Sequence, residues 1–126
     1  MDQGKIREFT DLDSWKQNHN LVLLIYRINK KFPESERFGL ISQMERAAVS
    51  VTSNIAEGFG RQTMKEKVHF YYQAHGSLTE LKNQLIIARD LGYTRDISFM
   101  EIMDQLITGQ KLLRGLTTKS KSFIKS

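Results

Sequence analysis

The sequence predicts an all-α fold, an antiparallel up-down-up-down four-helix bundle with left-handed packing. Three observations predict it. Apolar residues recur at alternating spacings of three and four along four separate segments, the period of helices that bury one face. Pro occurs once and Gly eight times, too sparse for the turn punctuation that strands need. The breaks between segments are short, which makes consecutive helices antiparallel neighbours. The 126 residues fit a single domain, residues 1–126.

Helix one is expected over residues 13–31, with Asp11 or Asp13 capping its start. Leu21, Ile25, Ile28 and Phe32 follow a 4-3-4 spacing, and Leu12, Trp15, Val22 and Tyr26 form an adjacent stripe. The combined apolar face is wider than a helix buried on one side requires. The excess points to an additional contact, with another subunit as the candidate. Phe32-Pro33-Glu34 breaks the pattern, because proline disfavours helix in the residue before it and donates no backbone hydrogen bond.

Helix two is expected over residues 36–57, with Ile41, Met44, Ala48, Val51 and Ile55 spaced 3-4-3-4, a seam of the left-handed bundle type. Gly58-Phe59-Gly60 is expected to end it through a left-handed cap. Helix three is expected over residues 63–91, opened by a Thr63–Glu66 capping box and closed by Gly92. Tyr71, Ala74, Leu78, Leu81, Leu85 and Ala88 make its seam, and Gly76 inside it is expected at a close helix–helix approach. Helix four is expected over residues 96–118, on Phe99, Ile102, Leu106, Leu113 and Leu116 with Gly109 in the slot between. A basic tail, residues 117–126, follows.

The net charge is +5, with an isoelectric point near 9.6. From Gln105 to the end there are five basic residues, Lys111, Arg114, Lys119, Lys121 and Lys125, and no acid. Two readings stand. Such a segment invites a polyanion through phosphate neutralisation and counterion release, or it is a solubilising, frayed terminus. The absence of Cys excludes a disulfide framework, a thiolate zinc site and a Cys nucleophile, and fits a reducing cytosol. Met1-Asp2-Gln3-Gly4-Lys5 lacks the apolar core of a signal peptide. The longest apolar run, Leu21 to Tyr26, has six residues, against about 20 for a membrane span. The expectation is a soluble cytoplasmic protein that does not enter membranes.

No enzyme active site is expected. A di-iron bundle needs a Glu-x-x-His motif on each of two helices, and only Glu66-Lys67-Val68-His69 fits. No nucleophile elbow, phosphate loop or dinucleotide fingerprint occurs. Catalytic residues, metal and cofactor are therefore all expected to be none. Polar residues do flank the seams: Arg46, Asn54 and Glu57 on helix two, Ser77 and Glu80 on helix three. They read either as a ligand pocket or as a structural network with Arg46 facing Glu57 or Glu80. The network is preferred, because a carboxylate beside a buried seam is costly without a partner.

The run from Ser50 to Arg61, with Asn54-Ile55-Ala56-Glu57-Gly58 at its centre, resembles the signature of the 23S rRNA intervening-sequence proteins. Phe9, Leu12 and Trp15, then Pro33, Gly39-Leu40, Gln43 with Arg46-Ala47-Ala48, and Ala74, Gly76-Ser77-Leu78 and Glu80-Leu81 fit the same pattern in order. The resemblance covers about Phe9 to Leu116 and leaves out the tail. It implies a homopentamer of four-helix bundles and does not imply an enzyme. A related bundle serves as the accessory protein of diversity-generating retroelements, which binds nucleic acid and a reverse transcriptase.

A five-membered ring would multiply the +5 of each chain fivefold. The expected activity is nucleic-acid binding, favouring structured RNA or RNA–DNA, by charge and shape with little sequence specificity. The candidate contacts are Arg27, Lys30, Lys31, Arg61, Lys65, Lys67, Lys111, Arg114, Lys119 and Lys121. Lys30-Lys31 and Arg61 to Lys67 sit at expected helix ends, where loops could cluster. The alternative, motivated by the broad face of helix one, is a protein-interaction scaffold or accessory subunit, for example of a reverse transcriptase.

Overall fold

The structure, a computed structural model, describes residues 5–124. The signal-peptide reading of the first four residues, and Lys125 of the basic tail, lie outside them. Four helices run in order: α1 (Asp13–Asn29), α2 (Leu40–Phe59), α3 (Met64–Asp90) and α4 (Asp96–Lys121). Each packs on its neighbours in sequence, and α1 closes the ring against α4. Cross-helix pairs fix the directions. Asn18 reaches Gly109, Ser50 meets Ser77 and His75 meets Thr117, while Arg89 lies over Phe99 at the other end of the α3–α4 pair. Rising numbers on one helix thus meet falling numbers on the next, and the bundle is up-down-up-down.

The 3-4 seams form the core. Leu21 and Ile25 of α1, Met44, Val51 and Ile55 of α2, Leu78, Leu81 and Leu85 of α3, and Ile102, Leu106 and Leu113 of α4 are all buried together. Part of the wide face of α1 is covered by its own chain. Trp15 stacks on His19, with centroids 4.6 Å apart, and meets Phe9 edge-on at 5.5 Å. Leu23 and Tyr26 remain exposed.

The helix ends differ from expectation for local reasons. Asp11 does not cap α1. Its carboxylate accepts from the backbone N–H groups of Arg7 and Glu8, at 3.0 Å each, and closes a short 3-10 turn over Phe9–Asp11. Those two bonds hold its pKa below the ordinary carboxylate value. Helix two starts at Leu40 rather than at residue 36, because Glu34–Glu36 forms a 3-10 turn and Gly39 leaves helical geometry. Glu36 then accepts from the Leu40 N–H at 3.1 Å and from the Tyr93 hydroxyl at 2.9 Å, tying the two turns at that end together.

Gly58 is helical and Gly60 ends α2 in a right-handed conformation, so no left-handed cap forms there. Gly92 does adopt one, at φ 78°. The Tyr93 N–H donates to Ala88 O and the Gly92 N–H to Arg89 O, the paired bonds of a Schellman end. Thr63 caps α3, accepting from the Glu66 N–H at 3.1 Å. Gly76 faces open space and marks no close approach. Helix four continues to Lys121, with Thr117 and Ser120 buried, so the expected tail is largely the last turn of a packed helix.

Candidate nucleic-acid interface

The structure divides the basic residues between the two ends of the bundle. Lys30 and Lys31 follow the C-terminus of α1 and are exposed. Arg61, Lys65 and Lys67 lie at the α2–α3 turn, at the other end. The 27 residues of α3 separate those ends, about 40 Å at 1.5 Å per residue. Both groups lie at helix ends, as expected, but at opposite ends of one chain.

Two cations of the α2–α3 turn are already engaged. The Lys67 ammonium donates to the carbonyl oxygen of Phe59 and sits 5.2 Å from that ring's centroid. It satisfies a free carbonyl at the end of α2, and partial burial lowers its pKa. Arg61 pairs with Glu57 at 3.0 Å and lies 4.5 Å over the Phe70 ring. Lys65 is exposed.

The expected network joining α2 and α3 takes a different form. Arg46 is exposed and pairs with neither Glu57 nor Glu80 among the described residues. Its place on α2 faces the groove shared with α1. The bridge between α2 and α3 is uncharged: Ser50 and Ser77 hydroxyls lie 2.9 Å apart, and Asn54 Nδ2 donates back to Ser50 O at 2.9 Å and to Ser50 Oγ at 3.1 Å. Glu57 serves Arg61, and Glu80 accepts from Gln84 Nε2 at 3.3 Å. Both carboxylates are exposed, so neither needs the buried partner assigned to it.

Two cations of α4 do converge. Arg114 and Lys121 line a groove of about 330 Å³ against α3, with Tyr72, His75, Thr117 and Thr118. Lys121 Nζ lies 5.5 Å from the Tyr72 centroid, and the Tyr72 and His75 rings are 6.4 Å apart. Thr117 donates to Leu113 O at 2.7 Å. Its oxygen must then accept from His75 Nε2, 3.2 Å away, which places the neutral ring's proton on Nε2. Burial, and then the Arg114 charge, lower the His75 pKa. Lys111 and Lys119 are exposed elsewhere on the same helix.

No group of three or more potential metal ligands occurs among the described residues. Glu66 accepts from the Thr63 hydroxyl at 3.2 Å, and His69 pairs with Gln73 at 3.0 Å. No helix is long and apolar enough to cross a membrane among the described residues.

The family model for the 23S rRNA-intervening sequence protein matches residues 10–115. The chain belongs to that family. A crystal structure of a protein of unknown function from the S23 ribosomal protein family of Bacteroides thetaiotaomicron matches with a TM-score of 0.76 at 18% identity, covering 82% of this chain and 97% of the other. At that identity the likeness shows the fold. No curated protein matches.

In this 23S rRNA-intervening sequence protein the signature segment is a packing device. Ser50 and Asn54 make the polar bridge, Ile55 enters the core, and Gly58 lets α3 approach. A Cβ at Gly58 would meet Tyr71 Cε1 at 2.8 Å and Phe70 Cβ at 3.0 Å. Tyr71 is buried there, and burial pushes its hydroxyl pKa up to about 12. Sequence reasoning missed the Tyr72–His75 side of the α3–α4 groove. The usable signal was the i, i+3 spacing of Tyr72 and His75 opposite the i, i+7 spacing of Arg114 and Lys121.

The depressed His75 pKa gives a pH prediction. A group that folding keeps neutral contributes stability above its unfolded pKa, about 6.5 for His, and loses it as pH falls towards the lower folded value. Melting temperature is expected to decline below about pH 6.5, and less steeply in His75→Gln. Parallel pH profiles for the two proteins would remove His75 as a source of acid sensitivity.

Proposed function

We propose that this chain is a non-enzymatic, homo-oligomeric cytoplasmic protein that binds structured RNA by charge and shape. The observation that carries the reading is the acid-free second half of α4. Lys111, Arg114, Lys119 and Lys121 are exposed there, on a helix that stays packed to Lys121. Fixed cations on a rigid rod lose less freedom on meeting phosphates than a frayed tail would. Assembly multiplies them, and phosphate affinity grows with the number of contacts. The family resemblance implies a ring of five copies. Leu23, Tyr26, Phe38 and Val49 supply exposed apolar surface on α1, just before α2 and at the middle of α2, which sister copies can cover.

The test is binding to a structured RNA hairpin across a salt series, after the native particle mass is measured. Affinity is expected to fall steeply with salt. Replacing Lys111, Arg114, Lys119 and Lys121 together by Gln is expected to weaken binding about tenfold or more at low salt and to flatten the slope. No binding at low salt removes the reading, and a 14.6-kDa native particle removes the assembly.

A second reading, a protein-interaction scaffold or accessory subunit, rests on Phe38. The residue is 92% exposed beside a groove of about 720 Å³ between α1 and α2, which Tyr26 and Val49 also line. A stable protein partner, captured equally well after nuclease treatment, selects it.

A further inference from the structure

We propose that the α3–α4 groove holds one unpaired nucleotide of a bound RNA, its base stacked on Tyr72 and its phosphate held by Arg114 and Lys121. The inference rests on the RNA-binding reading and gives it a specific site. Three features carry it.

The first is an available aromatic face. Tyr72 is 50% exposed and contributes nothing to the buried core, unlike its neighbour Tyr71. A base has a π-face whatever its identity, so a single exposed ring binds unpaired nucleotides without reading sequence. The second is charge. Arg114 and Lys121 converge from points two turns apart on α4, and no carboxylate among the described residues lines the groove. Neither cation has an acidic partner among the described residues, in contrast to Arg61. Lys121 rests on the Tyr72 ring, the place a base would take, and its flexible stem lets it swing out to a phosphate.

The third is size and polarity. A groove of about 330 Å³ is at the small end of ligand sites and admits one nucleotide, not a duplex. His75 is locked by Thr117. With the proton on Nε2, its Nδ1 is a hydrogen-bond acceptor, which suits a ligand class rich in donors, base amino groups and the ribose 2′-hydroxyl. Stacking on Tyr72 and pairing with two cations together distinguish an unpaired, flexible nucleotide from a base locked inside a helix.

The experiment compares the whole protein on two RNAs of equal phosphate number, a blunt duplex and a hairpin with an unpaired loop, at one salt concentration. Tyr72→Leu is expected to weaken hairpin binding about tenfold, leaving duplex binding and melting temperature unchanged. Tyr72→Phe is expected to keep hairpin binding, since the ring is retained. Arg114→Gln is expected to weaken both RNAs. Hairpin affinity that Tyr72→Leu leaves intact, or loses equally on both RNAs, overturns the stacking site and leaves the charge-based reading standing. Failure of the unaltered protein to bind either RNA at low salt overturns both.

Discussion

Gly58→Val is expected to lower the unfolding free energy by about 3 kcal/mol, a drop of about 10 °C in melting temperature for a chain of this size. The cause is contact distance. A bare Cβ at position 58 already lies 2.8 Å from Tyr71 Cε1 and 3.0 Å from Phe70 Cβ, inside normal carbon–carbon separation. Valine adds two more carbons to a seam whose partner ring is fully buried and has nowhere to go. Removing glycine from a helix gains at most about 1 kcal/mol, too little to offset overpacking. Gly60→Ala, two residues on, is the control. Its Cβ would meet nothing closer than 3.6 Å, and its φ of −77° suits any residue. It is expected to stay within about 0.5 kcal/mol of the parent. Equal melting of the Gly58 variant and the parent would mean that α2 and α3 do not approach as closely as they do here.

That pair of glycines also marks how far the sequence could be read. Ile41, Met44, Ala48, Val51 and Ile55 announced α2 and its buried side, because apolar burial leaves a direct trace at helical period. Gly58-Phe59-Gly60 announced a helix end, but glycine serves both turns and close packing, and the letters do not say which. The structure uses Gly58 for packing and Gly60 for the end. Gly76 looked like a contact glycine and meets open space, whereas Gly109, like Gly58, admits a neighbour's side chain. On α1, three of the five buried positions, Ser14, Asn18 and Asn29, are polar. A hydrophobic pattern cannot register them. The candidate interface was less legible still. Charge identified Arg114 and Lys121, but which cations share a groove depends on how α3 and α4 rotate against each other. The same limit misassigned the partner of Arg46 and hid the contact of Lys67 with Phe59. Charge type was visible in the sequence; the nearest partner was not.

Asn18→Asp is expected to cost about 3–5 kcal/mol at pH 8, although it changes one side-chain NH₂ group to oxygen. Asn18 is fully buried on the α1–α4 seam. Its Nδ2 donates to Ser14 O at 2.7 Å and to Gly109 O at 3.2 Å. Gly109 is what makes room for it, since a Cβ there would meet Asn18 Cγ at 2.8 Å. An aspartate of the same shape would set a carboxylate oxygen against two carbonyl oxygens, in a place with no water to solvate the charge. The variant can relieve this only by holding its proton, so its folded pKa must rise above the unfolded value of about 3.9. The sign of the pH effect follows. The deficit is smallest below about pH 4 and grows as pH rises through the raised folded pKa. Asn18→Ala removes the same donors without adding a charge, so its deficit should be near-constant with pH. Denaturant unfolding of the three proteins between pH 4 and pH 8 separates these cases. Because this seam fixes α4, and α4 carries Lys111, Arg114, Lys119 and Lys121, RNA affinity should follow the folded fraction of each variant. An aspartate variant as stable at pH 8 as the parent would mean the side chain reaches solvent, and that α1 and α4 meet along a different line.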